Sequence, residues 1–255
     1  MTKIFSVVNL SKESPQKDSW VATPIEAIQK MLELQQLGAD YIDLGARSSF
    51  SASPELDDRT EQERLELFFA TNRPKHFIPI SLDTWSDKNA SRYLGNIAVL
   101  NYTSTYFTEE LISALASTGC PLVLNYLPAA NPYALRKTAY SPPSIKRIVD
   151  YFSTTVPYLE KKGVNILAID PNLGMWHPET PNELKPVIQK QIIEAIPEIK
   201  KIAPVFIVAP RTNNLLNSEL VELILSQGVD FIRTHDVVAL KETMHRFRRC
   251  SGVLE

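Results

Sequence analysis

The chain has few cysteines, a small net charge and no long apolar run, and each of these features argues against a class of protein. Only Cys120 and Cys250 occur among 255 residues, which argues against a disulfide framework and favours a reducing, cytoplasmic location. The formal net charge of −2 argues against nucleic-acid binding, because neutralising phosphates needs a basic face. No apolar run reaches the roughly 18 residues of a membrane-spanning helix, and the N-terminus lacks a signal-peptide pattern. We therefore expect a cytoplasmic protein that binds neither membranes nor nucleic acids.

Glycine is also scarce, with eight residues against 18 prolines. The loop after the first strand-like run, residues 9–14, contains no glycine. An open doubly wound sheet usually carries a glycine fingerprint at that place, so this alternative fold is disfavoured. Four glycines each follow a helical pattern and precede an apolar run, which predicts helix-ending residues with positive φ: Gly38, Gly119, Gly163 and Gly228.

The chain does contain a repeated pattern, a short apolar run that stops at or leads to a polar residue. These polar residues are Asn9, Asp43, Asp83, Asn101, Asn125, Asp170, Arg211 and Arg233. Helical patterns lie between them, over residues 24–37, 61–71, 86–95, 108–117, 144–162, 182–200, 217–227 and 238–248. About eight strands that alternate with about eight helices predict an α/β fold, a (β/α)₈ TIM barrel, whose active site lies at the C-terminal rim.

No linker or shift in composition divides the chain, so residues 1–255 are predicted to form a single domain. The longest irregular stretch, residues 127–143, follows the fifth strand. A long loop at that place is expected to form a lid or a wall on the functional rim.

The order of the strand-end residues resembles the dihydropteroate synthase family, whose members are pterin-binding TIM-barrel transferases of folate biosynthesis. Four segments match in order: residues 38–45 (GADYIDLG), 80–84 (ISLDT), 169–174 (IDPNLG) and 232–237 (IRTHDV). Asn9 and Asn101 match the family in their asparagines. The resemblance covers nearly the whole chain, and each matching segment stands at a strand end.

The resemblance implies a reaction that condenses 6-hydroxymethyl-7,8-dihydropterin diphosphate with an arylamine such as 4-aminobenzoate, with loss of diphosphate. It implies that Asp83, Asn101, Asp170 and Arg233 bind the pterin, since carboxylates and a carboxamide suit an edge rich in N–H donors. Asn9, Arg233 and His235 are implied to bind the diphosphate, with Asn9 as an oxygen ligand of the Mg²⁺ that accompanies it. The implied catalytic residues are Asp83, Asp170, Arg233 and His235.

The resemblance also implies a homodimer through the last helices. The apolar residues compatible with such an interface, and equally with barrel packing, are Leu215, Leu216, Leu220, Leu223 and Ile224.

The amine side of the site departs from the family pattern. Phe50 stands where the family has a loop arginine, Thr212 replaces a lysine and Ser49 replaces a threonine, whereas Arg211 is retained. The first loop, in the family Thr-Pro-Asp-Ser-Phe-Ser-Asp-Gly-Gly, reads SKESPQKDS over residues 11–19. Loss of two cations weakens the attraction for the carboxylate of an arylamine, so we expect an altered amine partner or weak activity.

Two alternatives stay open: a repurposed or inactive pterin-binding paralogue, and a barrel for folate-linked methyl transfer. A Schiff-base aldolase is disfavoured because no lysine stands at a strand end. Asp43 is interpreted either as part of the site or as an interior group satisfied by its neighbours. His76, His177 and His245 are expected to be surface or packing residues.

Overall fold

The computed structural model describes residues 2–50, 52–74, 76–212 and 215–251. Within these residues the chain forms ten strands: β1 Lys3–Asn9, β2 Tyr41–Gly45, β3 Ile80–Thr84, β4 Val99–Tyr102, β5 Leu122–Asn125, β6 Ile166–Asp170, β7 Phe206–Val208, β8 Arg211–Thr212, β9 Leu215–Leu216 and β10 Phe231–Thr234. Eight of them make one parallel sheet in the order β6-β5-β4-β3-β2-β1-β10-β7. The N–H of Ile169 donates to the carbonyl of Pro204 at 2.8 Å, which brings β6 against β7 and nearly closes the sheet. This confirms the predicted TIM barrel.

The helices follow the strands as expected. Their bounds are α1 Pro24–Gln36, α2 Asp58–Phe69, α3 Asp87–Tyr93, α4 Glu109–Thr118, α5 Pro132–Leu135, α6 Ile145–Lys161, α7 Lys185–Glu194, α8 Ile196–Ile199, α9 Ser218–Ser226 and α10 Val237–Ser251. Helix α2 begins three residues before the predicted start, because the side chain of Asp57 caps the N–H of Thr60. None of the helices in the described residues is long and apolar enough to cross a membrane.

One predicted helix is divided. Residues 182–200 form a 3₁₀ turn, α7 and then α8, whereas the pattern predicted a continuous helix. The break falls at Ala195, two residues before Pro197, which has no N–H to donate to the preceding turn. The four helix-ending glycines have φ between +65° and +88°, as predicted from their positions.

Aromatic and aliphatic side chains fill the lower part of the barrel interior. Phe5 stacks on Tyr41 with ring centroids 4.4 Å apart and meets Phe206 edge-on at 5.0 Å. Val99, Val123, Ala168 and Phe231 complete this cluster. Side chains alternate between the two faces of a strand, so interior positions recur every second residue. Interior positions nearer the C-terminal ends of the strands carry the polar rim residues: Asn9, Asp43, Asn101, Asn125, Asp170 and Arg233.

Candidate functional site

Arg233 joins two neighbouring acidic strand ends at the rim. Its Nε donates to Oδ2 of Asp43 at 2.5 Å, and its Nη2 donates to Oδ2 of Asp83 at 2.8 Å. Asp43 is fully buried, whereas the side chain of Asp83 is 21% exposed. Asp83 therefore presents a carboxylate to the rim while Asp43 holds the arginine from below.

Asp43 is the buried anchor of this cluster. It accepts hydrogen bonds from Ser81 Oγ at 2.7 Å and from Asn101 Nδ2 at 3.1 Å, in addition to Arg233. Nδ2 of Asn125 donates to Oδ1 of Asn101 at 2.8 Å and so fixes the orientation of that amide. Asp43 is thus an interior group whose carboxylate is satisfied by its neighbours, and Asn125 belongs to the same hydrogen-bond network.

The two candidate pterin-binding carboxylates have raised pKa values. Burial raises the pKa of Asp83 to about 6, with Arg233 lowering it and Asp43 raising it further. Burial raises the pKa of Asp170 to about 7, although its Oδ1 accepts the N–H of Asn172 at 2.7 Å. Burial would lower the pKa of Arg233, but the carboxylates of Asp43 and Asp83 outweigh it and raise the value. Arg233 therefore stays charged, while the two carboxyl groups titrate near neutral pH.

Asn9, at the end of β1, and His235, just after β10, lie together at the rim and are joined by a serine. Ser19 Oγ lies 3.0 Å from Nδ2 of Asn9 and 3.0 Å from Nδ1 of His235. Burial, and then the charges of Arg233 and Arg211, lower the pKa of His235 to about 3, so its imidazole is neutral at ordinary pH. A Cβ on Gly45 would lie 2.9 Å from Oδ1 of Asn9, so a larger residue here would force the Asn9 side chain to shift.

Ion pairs and hydrogen bonds connect the first rim loop, residues 11–19, to helix α2 and to the second rim loop, residues 46–57. Arg64 donates to both carboxylate oxygens of Glu13, at 2.7 and 2.9 Å, and Ser53 Oγ donates to the carbonyl of Glu13. Burial alone would raise the pKa of Glu13, but the hydrogen bonds from Arg64, from the backbone and from Ser11, with the charge of Arg64, together outweigh burial and lower the pKa to about 2. Arg136, from the loop after β5, donates to the carbonyls of Ser53 and Phe50 at 2.8 and 2.7 Å. The 127–143 loop thus lies directly against the second loop.

The residues predicted for the amine side come from two separate loops, the one after β2 and the one after β7. Phe50 is half exposed, Ser49 is partly buried, and Nη2 of Arg211 lies 3.4 Å from Asp18 of the first loop. The side chain of Thr212 lies outside the described residues.

Sequence reasoning missed two residues of the site. Thr103 donates to Oδ1 of Asp83 at 2.7 Å, and the alternation Val99, Asn101, Thr103 could have placed it inside the barrel. Nothing in the spacing indicated Ser19, because its contacts depend on how the first loop folds back.

Three comparisons with known proteins agree. The family described as "Pterin binding enzyme" matches residues 5–235. The chain is 27% identical to dihydropteroate synthase type-3 of Escherichia coli, over 96% of this chain and 97% of the relative. A Yersinia pestis dihydropteroate synthase in complex with a sulfonamide drug superposes with a TM-score of 0.82 at 17% identity, over 98% and 94% of the two chains.

A second solved structure of a dihydropteroate synthase superposes on this chain over a similar length. The Anaplasma phagocytophilum dihydropteroate synthase with bound 6-hydroxymethylpterin-monophosphate superposes with a TM-score of 0.76 at 22% identity, over 98% of this chain and 99% of that one. At sequence identities this low, the superpositions establish only a shared fold. Membership of the family rests on the family match over residues 5–235. The chain belongs to the pterin-binding enzyme family, as a divergent homologue of dihydropteroate synthase.

Proposed function

We propose that the rim binds 6-hydroxymethyl-7,8-dihydropterin diphosphate and transfers its pterinylmethyl group to an arylamine, with loss of diphosphate. The observation that carries this proposal is the position of Arg233. Its guanidinium is held by Asp43 and Asp83, and its charge acts on His235, two residues further along the chain. One cation thus serves both an acidic, amide-rich edge and a group suited to phosphate.

The acidic edge suits the pterin ring. Asp83 and Asp170 offer carboxylate oxygens to the N–H donors of the ring, and the amide of Asn101 is fixed by Asp43 and Asn125. Arg233 is planar and can stack on the pterin face as well as pair with phosphate oxygens. Three strands thus contribute to one hydrogen-bonding edge.

Arg233 and His235 suit the diphosphate. As the C–O bond to the methylene carbon breaks, negative charge grows on the departing diphosphate. A fixed cation at Arg233 and an N–H donor at His235 stabilise that charge. The arylamine nitrogen forms the new bond to the methylene carbon and releases a proton.

Mg²⁺ fits this arrangement as a companion of the substrate. In the described part of the chain, no group of three or more His, Cys, Asp or Glu residues is arranged to hold a metal ion. Asn9 offers Oδ1 on the Gly45 side, while its Nδ2 is turned towards Ser14 and Ser19. Mg²⁺ commonly takes one or two protein oxygens and otherwise phosphate oxygens and water. Bound in this way, it would neutralise charge on the leaving diphosphate.

A second candidate function is pterin binding without turnover. The exposed Phe50 and the change to Thr212 on the amine side favour it, as neither supplies a cation for an arylamine carboxylate. Release of diphosphate on adding 4-aminobenzoate or another arylamine separates the two functions. Binding of the pterin with no release under any arylamine supports the second.

The binding proposal is tested by thermal unfolding with the pterin diphosphate and Mg²⁺. At about 100 times the dissociation constant, a ligand stabilises the native state by about 2.7 kcal/mol, which is a rise in melting temperature of roughly 5–10 °C. Asp83→Ala or Asp170→Ala should abolish the shift. Asp150→Ala, which removes an exposed ion pair with Lys146, is the matched control and should retain it. No shift in the wild-type protein at millimolar ligand contradicts the proposal.

We also propose a homodimer through the last helices. Leu215 is 72% exposed, and the half-buried Leu220 and Leu223 of α9 lie nearby in sequence. Light scattering after gel filtration measures the mass directly. A mass of one chain, 28.7 kDa, at micromolar concentration contradicts this expectation.

A further inference from the structure

Ser19 lies between Asn9 and His235, a position that the surrounding sequence does not predict. It ends the 3₁₀ turn Lys17–Ser19 in the first loop and is only 1% exposed. Its hydroxyl lies 3.0 Å from Nδ2 of Asn9, 3.0 Å from Nδ1 of His235 and 3.1 Å from the carbonyl of Gln16.

The hydroxyl has one proton for two acceptors. The amide Nδ2 of Asn9 can only donate, so it occupies a lone pair of Ser19 Oγ. The carbonyl of Gln16 already accepts the backbone N–H of Ser19 at 3.3 Å. Donation of the hydroxyl proton to Nδ1 of His235 at 3.0 Å leaves each of these groups with a partner, whereas donation to the carbonyl of Gln16 at 3.1 Å requires Nδ1 to donate to Ser19.

The direction of that bond decides what His235 offers to a ligand. A neutral imidazole carries one proton, on Nδ1 or on Nε2. If Ser19 donates to Nδ1, the proton stays on Nε2, which can then donate to an oxygen anion. If Nδ1 donates to Ser19, then Nε2 is an acceptor and repels a phosphate oxygen.

We propose that Ser19 is a positioning residue, whose hydroxyl keeps the proton of His235 on Nε2 and turns the oxygen of Asn9 towards the substrate. This inference rests on the proposed diphosphate site. The amide of Asn9 is oriented by the same hydroxyl and by Ser14, which leaves Oδ1 on the side of Gly45. One buried serine thus prepares a donor and an oxygen ligand for the same diphosphate.

The direct test is ¹⁵N NMR of histidine side chains in the full chain, which distinguishes the two neutral tautomers. The wild-type His235 should be protonated on Nε2, and Ser19→Ala should shift the population towards Nδ1. Ser19→Thr keeps the hydroxyl and should restore the wild-type spectrum. Ser117→Ala removes an exposed serine of α4 and is the control that should change nothing. The signal is assigned by its loss in His235→Gln.

Binding of inorganic diphosphate with Mg²⁺, measured by calorimetry, gives the second readout. Ser19→Ala should weaken binding by about 10- to 100-fold, as is typical when a partner of a ligand-binding side chain is removed, and Ser19→Thr should recover most of it. An unchanged tautomer or unchanged affinity in Ser19→Ala overturns the inference, even if the wild-type protein binds diphosphate. A wild-type protein that binds no diphosphate, but whose His235 tautomer depends on Ser19, instead overturns the proposed function.

Discussion

Replacing Asp43 with alanine is predicted to destabilise the barrel because its fully buried carboxylate is paired with the rim cation Arg233. It accepts from Ser81 at 2.7 Å, from Asn101 at 3.1 Å and from Arg233 at 2.5 Å. In Asp43→Ala these three donors lose their acceptor, and Arg233 retains only its 2.8 Å bond to Asp83.

The size of the effect follows from these contacts. Removing one partner of a buried ion pair costs about 3–5 kcal/mol. Arg233 keeps a second carboxylate and is 15% exposed, so the low end applies, about 3 kcal/mol. Ser81→Ala removes one hydrogen bond to the same charged group and should cost about 1.5 kcal/mol.

Urea unfolding followed by tryptophan fluorescence measures both variants, since Trp85 is buried beside the rim. With a denaturant slope of about 3 kcal/mol per molar, the midpoint should fall by about 1 M in Asp43→Ala and by about half that in Ser81→Ala. A midpoint for Asp43→Ala within about 0.2 M of wild type, or an order of the two variants that is reversed, would refute the assigned role of Asp43.

Three further predictions concern charge and specificity. Pterin affinity should rise about tenfold from pH 6 to pH 8, because Asp170, with a pKa of about 7, must lose its proton to accept N–H donors fully. Calorimetry at pH 6 should show that binding releases a proton. An affinity that does not change with pH contradicts this prediction. Arg47→Met leaves the buried Glu61 without its cation, 3.1 Å away, and should lower the free energy of unfolding in urea by about 3–5 kcal/mol. Adding Glu61→Gln to the same chain should restore part of that stability. Phe50→Arg should raise kcat/KM for 4-aminobenzoate by about tenfold. This gain is smaller than the effect of a fully buried charge pair, roughly 2–5 kcal/mol, because position 50 is half exposed. An equal gain with aniline, which has no carboxylate, contradicts the reasoning.

The barrel and its rim could be predicted from the sequence because both depend on local periodicity. Apolar runs that end in polar residues located the strand ends, and the two-residue alternation explains why Asp43, Asn101 and Asn125 face the interior. The division of residues 182–200 was missed because the helical pattern outweighed Pro197, whose missing N–H interrupts the helix.

The loops could not be predicted in the same way. Glu13 and Arg64 are 51 residues apart in the chain, and Arg136 and Phe50 are 86 residues apart. Such contacts depend on how the strands are ordered around the barrel and leave no periodic signal in the sequence. The same reason hid Ser19, whose partner His235 is 216 residues away.

A crystal structure of the protein with 6-hydroxymethyl-7,8-dihydropterin diphosphate and Mg²⁺ tests the central claim most directly. The account predicts the pterin edge within hydrogen-bond distance of Asp83, Asn101 and Asp170, and the diphosphate beside Arg233 and His235. A pterin bound elsewhere on the barrel, or bound at the rim without contact to either carboxylate, contradicts it.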